Sequence, residues 1–159
     1  MNQTLQMAVP PQTLLPPIST PQVGAICWRM NRGRVQVLLI SSRDTGRWVI
    51  PKGWPIDGLT APQAAAREAW EEAGVEGVVS PTDLGQFHYD KIVTAKPALA
   101  CLVQVFALRV VKLRDKFPEQ KERRRRWFDA VRAARKVAEP ELCQLLQHLP
   151  EMLTPSEET

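Results

Sequence analysis

The pattern of apolar and polar positions divides the chain into short elements. Residues 23–29 read as a strand, and residues 35–41 (VQVLLIS) as a buried one. Asn31, Arg32 and Gly33 between them are a turn signal. Residues 48–50 form a short strand that Pro51 stops. Residues 62–73 predict a helix: Ala, Gln, Arg and Glu dominate, Thr60 can cap it, and Pro62 suits its first turn. Gly74 ends it. Residues 75–79 and 85–89 are short strands, residues 98–111 (ALACLVQVFALRVV) a long central one, and residues 124–128 a further short one. Asp129 caps a helix running to about Lys136. A last helix spans 139–149, with Leu142, Leu145, Leu146 and Leu149 on one stripe. Strands, helix, strands, helices: the order predicts one α+β domain with helices against a mixed sheet.

The ends lack this texture. Residues 1–22 hold five prolines and no charge, and are expected to form a flexible Pro-rich tail. The domain is expected over 23–150, followed by a flexible acidic tail over 151–159. At 159 residues, 44% hydrophobic and 24% charged, the composition is that of one globular domain. No run approaches the ~18 apolar residues of a membrane-spanning helix, so no membrane partner is expected. The N-terminus lacks the basic start of a secretory signal. Cys27, Cys101 and Cys143 form no CxxC pair and are odd in number, so neither a disulfide framework nor a zinc site is indicated. A reducing, cytoplasmic setting is expected.

Charge is unevenly spread. Residues 109–136 hold 12 Lys/Arg against 4 Asp/Glu, whereas the remaining chain holds 9 against 13. Such a molecule suits nucleic acid or a small, highly charged anion.

The chemistry concentrates in Arg67, Glu68, Ala69, Trp70, Glu71, Glu72, Ala73, Gly74 and Val75. On a helix Glu68, Glu71 and Glu72 are at i, i+3 and i+4, which stacks three carboxylates on one face. Mutual repulsion makes that unfavourable, and a hard divalent cation reverses the sign. Read alone, the trio is equally a solvated acidic face. Upstream, Lys52, Gly53 and Trp54 lie in a tight loop feeding the helix, with carbonyls available to a cation.

The segment resembles the Nudix box, G-x5-E-x7-R-E-U-x-E-E-x-G-U with U apolar. Gly53 fills the first position, Arg67 and Glu68 the R-E pair, Glu71 and Glu72 the E-E pair, and Gly74 and Val75 the close. One position departs: Leu59 stands where the box has Glu, a residue that in the family helps hold the loop and the motif arginine. Further likeness lies outside the box. Ser41, Ser42 and Arg43, then Trp48 to Pro51, then Arg126, Trp127 and Phe128 before a helix, resemble the diphosphoinositol polyphosphate phosphohydrolase branch of Nudix hydrolases. The likeness covers about residues 22–148. It implies the Nudix fold: an α/β/α sandwich around a central mixed sheet, with the box as loop-helix-loop.

The resemblance also implies an activity. Nudix enzymes cleave a nucleoside diphosphate linked to another moiety, or an analogous pyrophosphate, by attack of water on phosphorus. Positioning, metal charge neutralisation and water activation carry most of that work. Glu68, Glu71 and Glu72 would bind or orient Mg2+ or Mn2+, with the Gly53 carbonyl as a further ligand, and Glu68 is alternatively the base. Arg67 would orient a carboxylate; its other reading is a plain i,i+4 pair with Glu71. Glu119 and Glu122 are candidates for an extra base or ligand, or are solvated loop acids. Ser42, Arg43, Lys52, Arg124 and Arg126 are candidates for substrate phosphates. If residues 123–126 lie in a strand, at most about half of those arginines can line one pocket. Trp54, beside the metal loop, is placed to touch substrate, whereas Trp48 and Trp127 read as core. Tyr89, Asp90 and Lys91 border the cleft, and His88 and His148 carry no role.

The expected function is divalent-metal-dependent cleavage of a phosphoanhydride in a highly phosphorylated small molecule, of the diphosphoinositol polyphosphate or dinucleoside polyphosphate type. Alternatives are nucleotide-pool cleaning, RNA 5′-pyrophosphate removal, or a non-catalytic binding module. A monomer or homodimer fits all of them.

Overall fold

The structure is a computed structural model that describes residues 19–92 and 97–157. The expected N-terminal tail lies, up to residue 18, outside the described residues. Seven strands and three helices follow in the order β1 (Thr20–Asn31), β2 (Arg34–Ser41), β3 (Trp48–Val49), β4 (Lys52–Gly53), α1 (Ala61–Ala73), β5 (Val75–Lys91), β6 (Leu99–Leu113), β7 (Arg125–Asp129), α2 (Ala130–Lys136) and α3 (Pro140–Glu157).

The strands form one mixed sheet ordered β3-β2-β1-β6-β5, with β4 added against β1 and β7 against β2. β1 and β6 pair in parallel from Thr20 with Cys101 to Trp28 with Arg109, and every other pairing is antiparallel. The sheet forks along β1. Its C-terminal half pairs with β2, Trp28 opposite Val37. Its N-terminal end pairs instead with β4, Val23 opposite Gly53. β2 meanwhile continues between β3 and β7. The Lys52–Gly53 loop therefore enters the structure at the fork.

Both faces of the sheet are covered, which explains why its inner strands read as continuous apolar runs rather than alternating ones. Strand alternation still sorts the side chains. Val23, Ala25, Cys27, Leu38, Ile40, Phe106 and Leu108 meet α1, whereas Ile26, Trp28, Val37, Leu39, Val103 and Val105 meet α2 and α3. α1 touches the sheet through Ala64, Ala65, Ala69 and Ala73. These small residues bring the helix axis close, and with it the glutamates on its flank.

Local chemistry sets the ends of α1. The Thr60 hydroxyl accepts from the Gln63 backbone N–H and the Gln63 side chain accepts from the Thr60 N–H, a capping box. Gly74 closes the helix in the left-handed region at φ 69° and donates to Ala69 and Trp70 carbonyls. A side chain there would also strike Phe117 and the Arg114 carbonyl.

Four sequence expectations change. β1 begins at Thr20 rather than residue 23, because β6 reaches back to pair with it. The strands expected at 75–79 and 85–89 form one strand, β5, since β6 runs alongside both; the register shifts around Val79, Asp83 and Gly85 mark the former gap. β4 pairs through only two residues, too few to leave a periodic signal. The last helix runs to Glu157, so residues 151–157 are helical rather than a flexible acidic tail, and Leu153 extends the buried stripe.

Candidate active site

The site is built where α1, the β4 loop and the segment before β7 converge. Glu72, on the last turn of α1, is 8% exposed. Its Oε1 accepts from the Lys52 backbone N–H at 3.3 Å, and its Oε2 lies 3.5 Å from Nη2 of Arg123. One turn earlier Glu68 lies directly against Gly53: a methyl group added there would fall inside contact distance of the Glu68 carboxylate. Glycine at position 53 is thus needed for space. Glu71 is half-buried on the same flank, and its carbonyl accepts from the Glu119 N–H at 3.0 Å. That bond fastens the loop before β7 to the helix.

Burial pushes the Glu72 carboxyl up to about 7; Arg123 and Lys52 oppose the shift, and Glu119 and Glu68 add to it. Glu68 is raised too, by burial first and then by Glu71 and Glu119. The Glu68 and Glu72 carboxylates are in hydrogen-bond contact. Two carboxylates so placed need a proton or a cation between them.

The two acids expected outside the box separate. Glu119 faces the helix carboxylates and takes a 2.8 Å hydrogen bond from Nε of Arg123. Glu122 turns away, to an exposed pair with Arg43 at 3.0 Å. Glu122 is therefore a solvated loop acid here, and Arg43 is tied to it.

Strand alternation divides the basic run. Arg125 sits opposite Ile40 and faces α1, where Nη1 donates to the carbonyls of Ala73 at 2.9 Å and Arg114 at 2.7 Å. It closes the C-terminus of α1, a favourable place for a cation. Arg123 faces the same side. Arg124 and Arg126 point to the other face, over Trp48 at 5.1 Å and Phe128 at 5.4 Å, and both are exposed. Only Arg125 and Arg126 lie in β7, so the strand on which the expected split of the run depended covers half of it.

Arg67 departs from expectation. It is exposed and makes no ion pair or hydrogen bond among the described residues, neither with a box carboxylate nor with Glu71. Leu59, where the box has a carboxylate, packs against the core on the α1 side and carries no acceptor group.

Around the loop, Lys52 lies with Nζ 4.7 Å from the Tyr89 ring centre, and burial lowers its pKa against the pull of Glu72 and Glu139. The Tyr89 hydroxyl donates to Gln22 at 2.8 Å. Trp54 is exposed, with Lys91 over its ring at 5.9 Å, so Tyr89 and Lys91 do border the loop as expected. Ser42 is occupied locally, in a hydroxyl contact with Thr45 at 2.9 Å. Trp48 meets Phe128 edge-on at 5.4 Å, and Trp127 carries Arg29 at 4.0 Å over its ring. His88 pairs with Glu141 at 3.0 Å and His148 with the Gln144 carbonyl at 2.9 Å, both on the exterior. Cys27 is buried and its thiol is pushed up to about 12 by burial, so it is inert.

Sequence reasoning missed the ion pair beside Lys52. Arg47 donates to Glu139 at 2.8 Å, and Glu139 is 7% exposed beside Lys52. Glu139 reads in sequence as an ordinary helix-start acid, and nothing local marks its partner 92 residues away.

Among the described residues no three His, Cys, Asp or Glu side chains already close around an ion. The donor set nevertheless fits a hard divalent cation. It is all oxygen, it includes two carboxylates in mutual contact, and one of them seats against a glycine backbone. The remaining ligand positions of such a cation fall to water and substrate.

Comparison with known proteins agrees with this geometry. The family model described as NUDIX domain matches residues 20–149. Nudix hydrolase 13, mitochondrial, of Arabidopsis thaliana is 38% identical over 105 residues, covering 63% of this chain and 52% of that protein. Diphosphoinositol polyphosphate phosphohydrolase 3-alpha of Mus musculus is 30% identical over 116 residues, covering 70% and 66%. The chain thus spans about half the length of the plant relative. Among solved structures, Ap4A hydrolase of C. elegans superimposes with a TM-score of 0.62 at 19% identity, over 86% of this chain and 100% of that one. The NUDIX domain of Shewanella oneidensis NrtR, complexed with ADP ribose, gives 0.65 at 14% identity, over 97% and 100%. The fold, the box and the family match converge, and the chain belongs to the Nudix hydrolase family.

Proposed function

We propose that the chain is a divalent-cation-dependent pyrophosphohydrolase that cleaves a phosphoanhydride in a small, highly phosphorylated molecule. The observation that carries this reading is the joint seating of Glu68 against Gly53 and of buried Glu72 against the Lys52 N–H. Glu68, Glu71, Glu72 and the Gly53 carbonyl would hold Mg2+ or Mn2+. When bound, such a cation neutralises phosphate charge and makes coordinated water more acidic.

The remaining steps belong to the chain's own residues. Glu119, held beside Glu68 and Glu72, is placed to take the proton from the attacking water. Lys52 lies at the loop with its Nζ 4.7 Å from the Tyr89 ring centre, and would serve a phosphate oxygen. Arg124 offers an exposed guanidinium near Ser41, to which its own N–H is bonded at 2.8 Å. Trp54, exposed at the mouth, can cover the rest of the substrate. The basic run is split between two faces, which favours a compact phosphate cluster over an extended nucleic-acid track.

A substrate panel with Mg2+ and with Mn2+ tests this: a diphosphoinositol polyphosphate, a diadenosine polyphosphate, a nucleoside diphosphate sugar and a 5′-triphosphorylated RNA. Cation-dependent phosphate release from one of the first two is expected, with little dependence on added salt. Turnover of the RNA alone, with affinity falling nearly one log unit per log salt for each phosphate contacted, would replace this reading. No turnover of any anhydride would leave a binding module.

A further inference from the structure

We propose that Arg123 is the positioning residue of this site, holding Glu72 and Glu119 on a common side from the segment before β7. The inference deepens the hydrolase reading above and rests on it.

Three nitrogens of one side chain carry the argument. Nε donates to Glu119 at 2.8 Å, Nη2 faces Glu72 at 3.5 Å, and Nη1 donates to the Ser41 carbonyl at 3.1 Å. The Arg123 side chain is 8% exposed, against 10% for Glu72 and 21% for Glu119. A guanidinium so enclosed, with a protein acceptor on each nitrogen, presents no free fork to a substrate phosphate. Its neighbours Arg124 and Arg126 are exposed and do present one. Arg123 therefore differs in kind from the rest of the basic run.

The same three contacts tie together the elements that form the site. Ser41 ends β2, Glu72 lies in the last turn of α1, and Glu119 lies in the loop fastened to the Glu71 carbonyl. Arg123 reaches the Glu72 and Glu119 carboxylates with the same guanidinium, whose positive charge offsets the repulsion between them. Arg67 is exposed and makes no such contact among the described residues. The carboxylates are thus oriented from the sheet rather than from their own helix.

The test compares Arg123→Met and Arg123→Lys with the wild-type chain by two readouts. The first is Mn2+ binding to the substrate-free protein, followed by the EPR signal of free Mn2+. The second is kcat and KM for whichever panel substrate is turned over. Arg123→Met is expected to weaken Mn2+ binding by about 10–100-fold, the scale of losing a group that orients a ligand. It should lower kcat at saturating Mn2+ with KM nearly unchanged. Arg123→Lys, which keeps the charge but not the fork, should fall between the two. Combining Arg123→Met with Glu119→Gln should cost no more in kcat than the worse single change, as for groups acting as a unit.

A raised KM with Mn2+ binding and kcat unchanged would overturn the proposal and make Arg123 a phosphate contact. Additive losses in the double variant would overturn it too. If Arg123→Met does not fold, Arg123→Lys decides by the Mn2+ readout: wild-type affinity with wild-type kcat overturns it. Mn2+ binding needs no turnover, so failure of the substrate panel and failure of this proposal are separate results.

Discussion

Glu72 combines burial with a carboxylate partner, and both of its expected behaviours follow from that. Glu72→Gln keeps the shape and removes the charge. It should lower kcat by at least ~100-fold, the scale of losing a positioned charge or acid-base group. Its pH dependence has a definite sign. In the folded, metal-free protein the carboxyl is raised from 4.5 to about 7, so the folded state holds the proton more tightly than the unfolded chain. Stability from this group is fully present below pH 4.5 and is lost as pH rises through about 7. Thermal unfolding in EDTA should therefore show the wild type losing ground to Glu72→Gln as pH rises from 5 to 8, and excess Mn2+ should reverse the trend. Gly53 gives the complementary case. Its neighbour is the far end of a flexible side chain, so Gly53→Ala should displace Glu68 rather than break the sheet. The expected outcome is a kcat loss of at least ~10-fold. Tm should stay within about 3 °C of the wild type. At this scale much was legible in sequence: the box names Gly53, Glu68, Glu71 and Glu72. Arg67, expected to orient a carboxylate, stands exposed on α1. Glu119 and Glu122 could not be separated, because which of two loop acids turns inward depends on Arg43, 79 positions from Glu122, and on the Glu71 carbonyl that fastens Glu119 to α1.

Elements were legible wherever their signals were local. α1 announced itself through Thr60, Pro62, its alanines and Gly74, and the structure uses each of them. The capping box is worth testing by itself. Thr60→Ala should cost ~1 kcal/mol. For a chain of this size that is a Tm lower by about 2–4 °C. Measured kcat at a temperature well below Tm should not change, since the side-chain bonds lost are those with Gln63. Other elements depended on partners. β5 was read as two strands because residues 80–84 look like a turn, with the Ser80 hydroxyl bonding locally to Thr82. The long β6 carries the pairing past that irregularity. α3 is expected to end at Leu149, the last residue of its leucine stripe in sequence, yet Leu153 continues the buried face. The run of arginines shows the same limit. Strand alternation predicts a split, but only the pairing of β7 with β2 assigns Arg125 to α1 and Arg126 to the opposite face.

Across the whole molecule, the uneven charge acquires a layout. The acidic helix flank and the basic segment before β7 meet at one edge of the fork in the sheet, with Arg123 and Glu72 in direct contact. Part of the basic excess is used inside the protein, Arg123 on Glu119 and Glu72 and Arg125 on the C-terminus of α1, and is not available to a ligand. The sequence alone determined that this chain makes a mixed α+β domain with a glycine-to-glutamate box, because helix capping, strand period and i, i+4 spacing are local rules that act within about a dozen residues. Tertiary structure decided where the sheet forks, which of the outer acids faces the box, and which arginine holds it. Those outcomes rest on contacts such as Arg47 with Glu139 and Arg123 with Ser41, which lie 92 and 82 positions apart and leave no periodic trace in the chain.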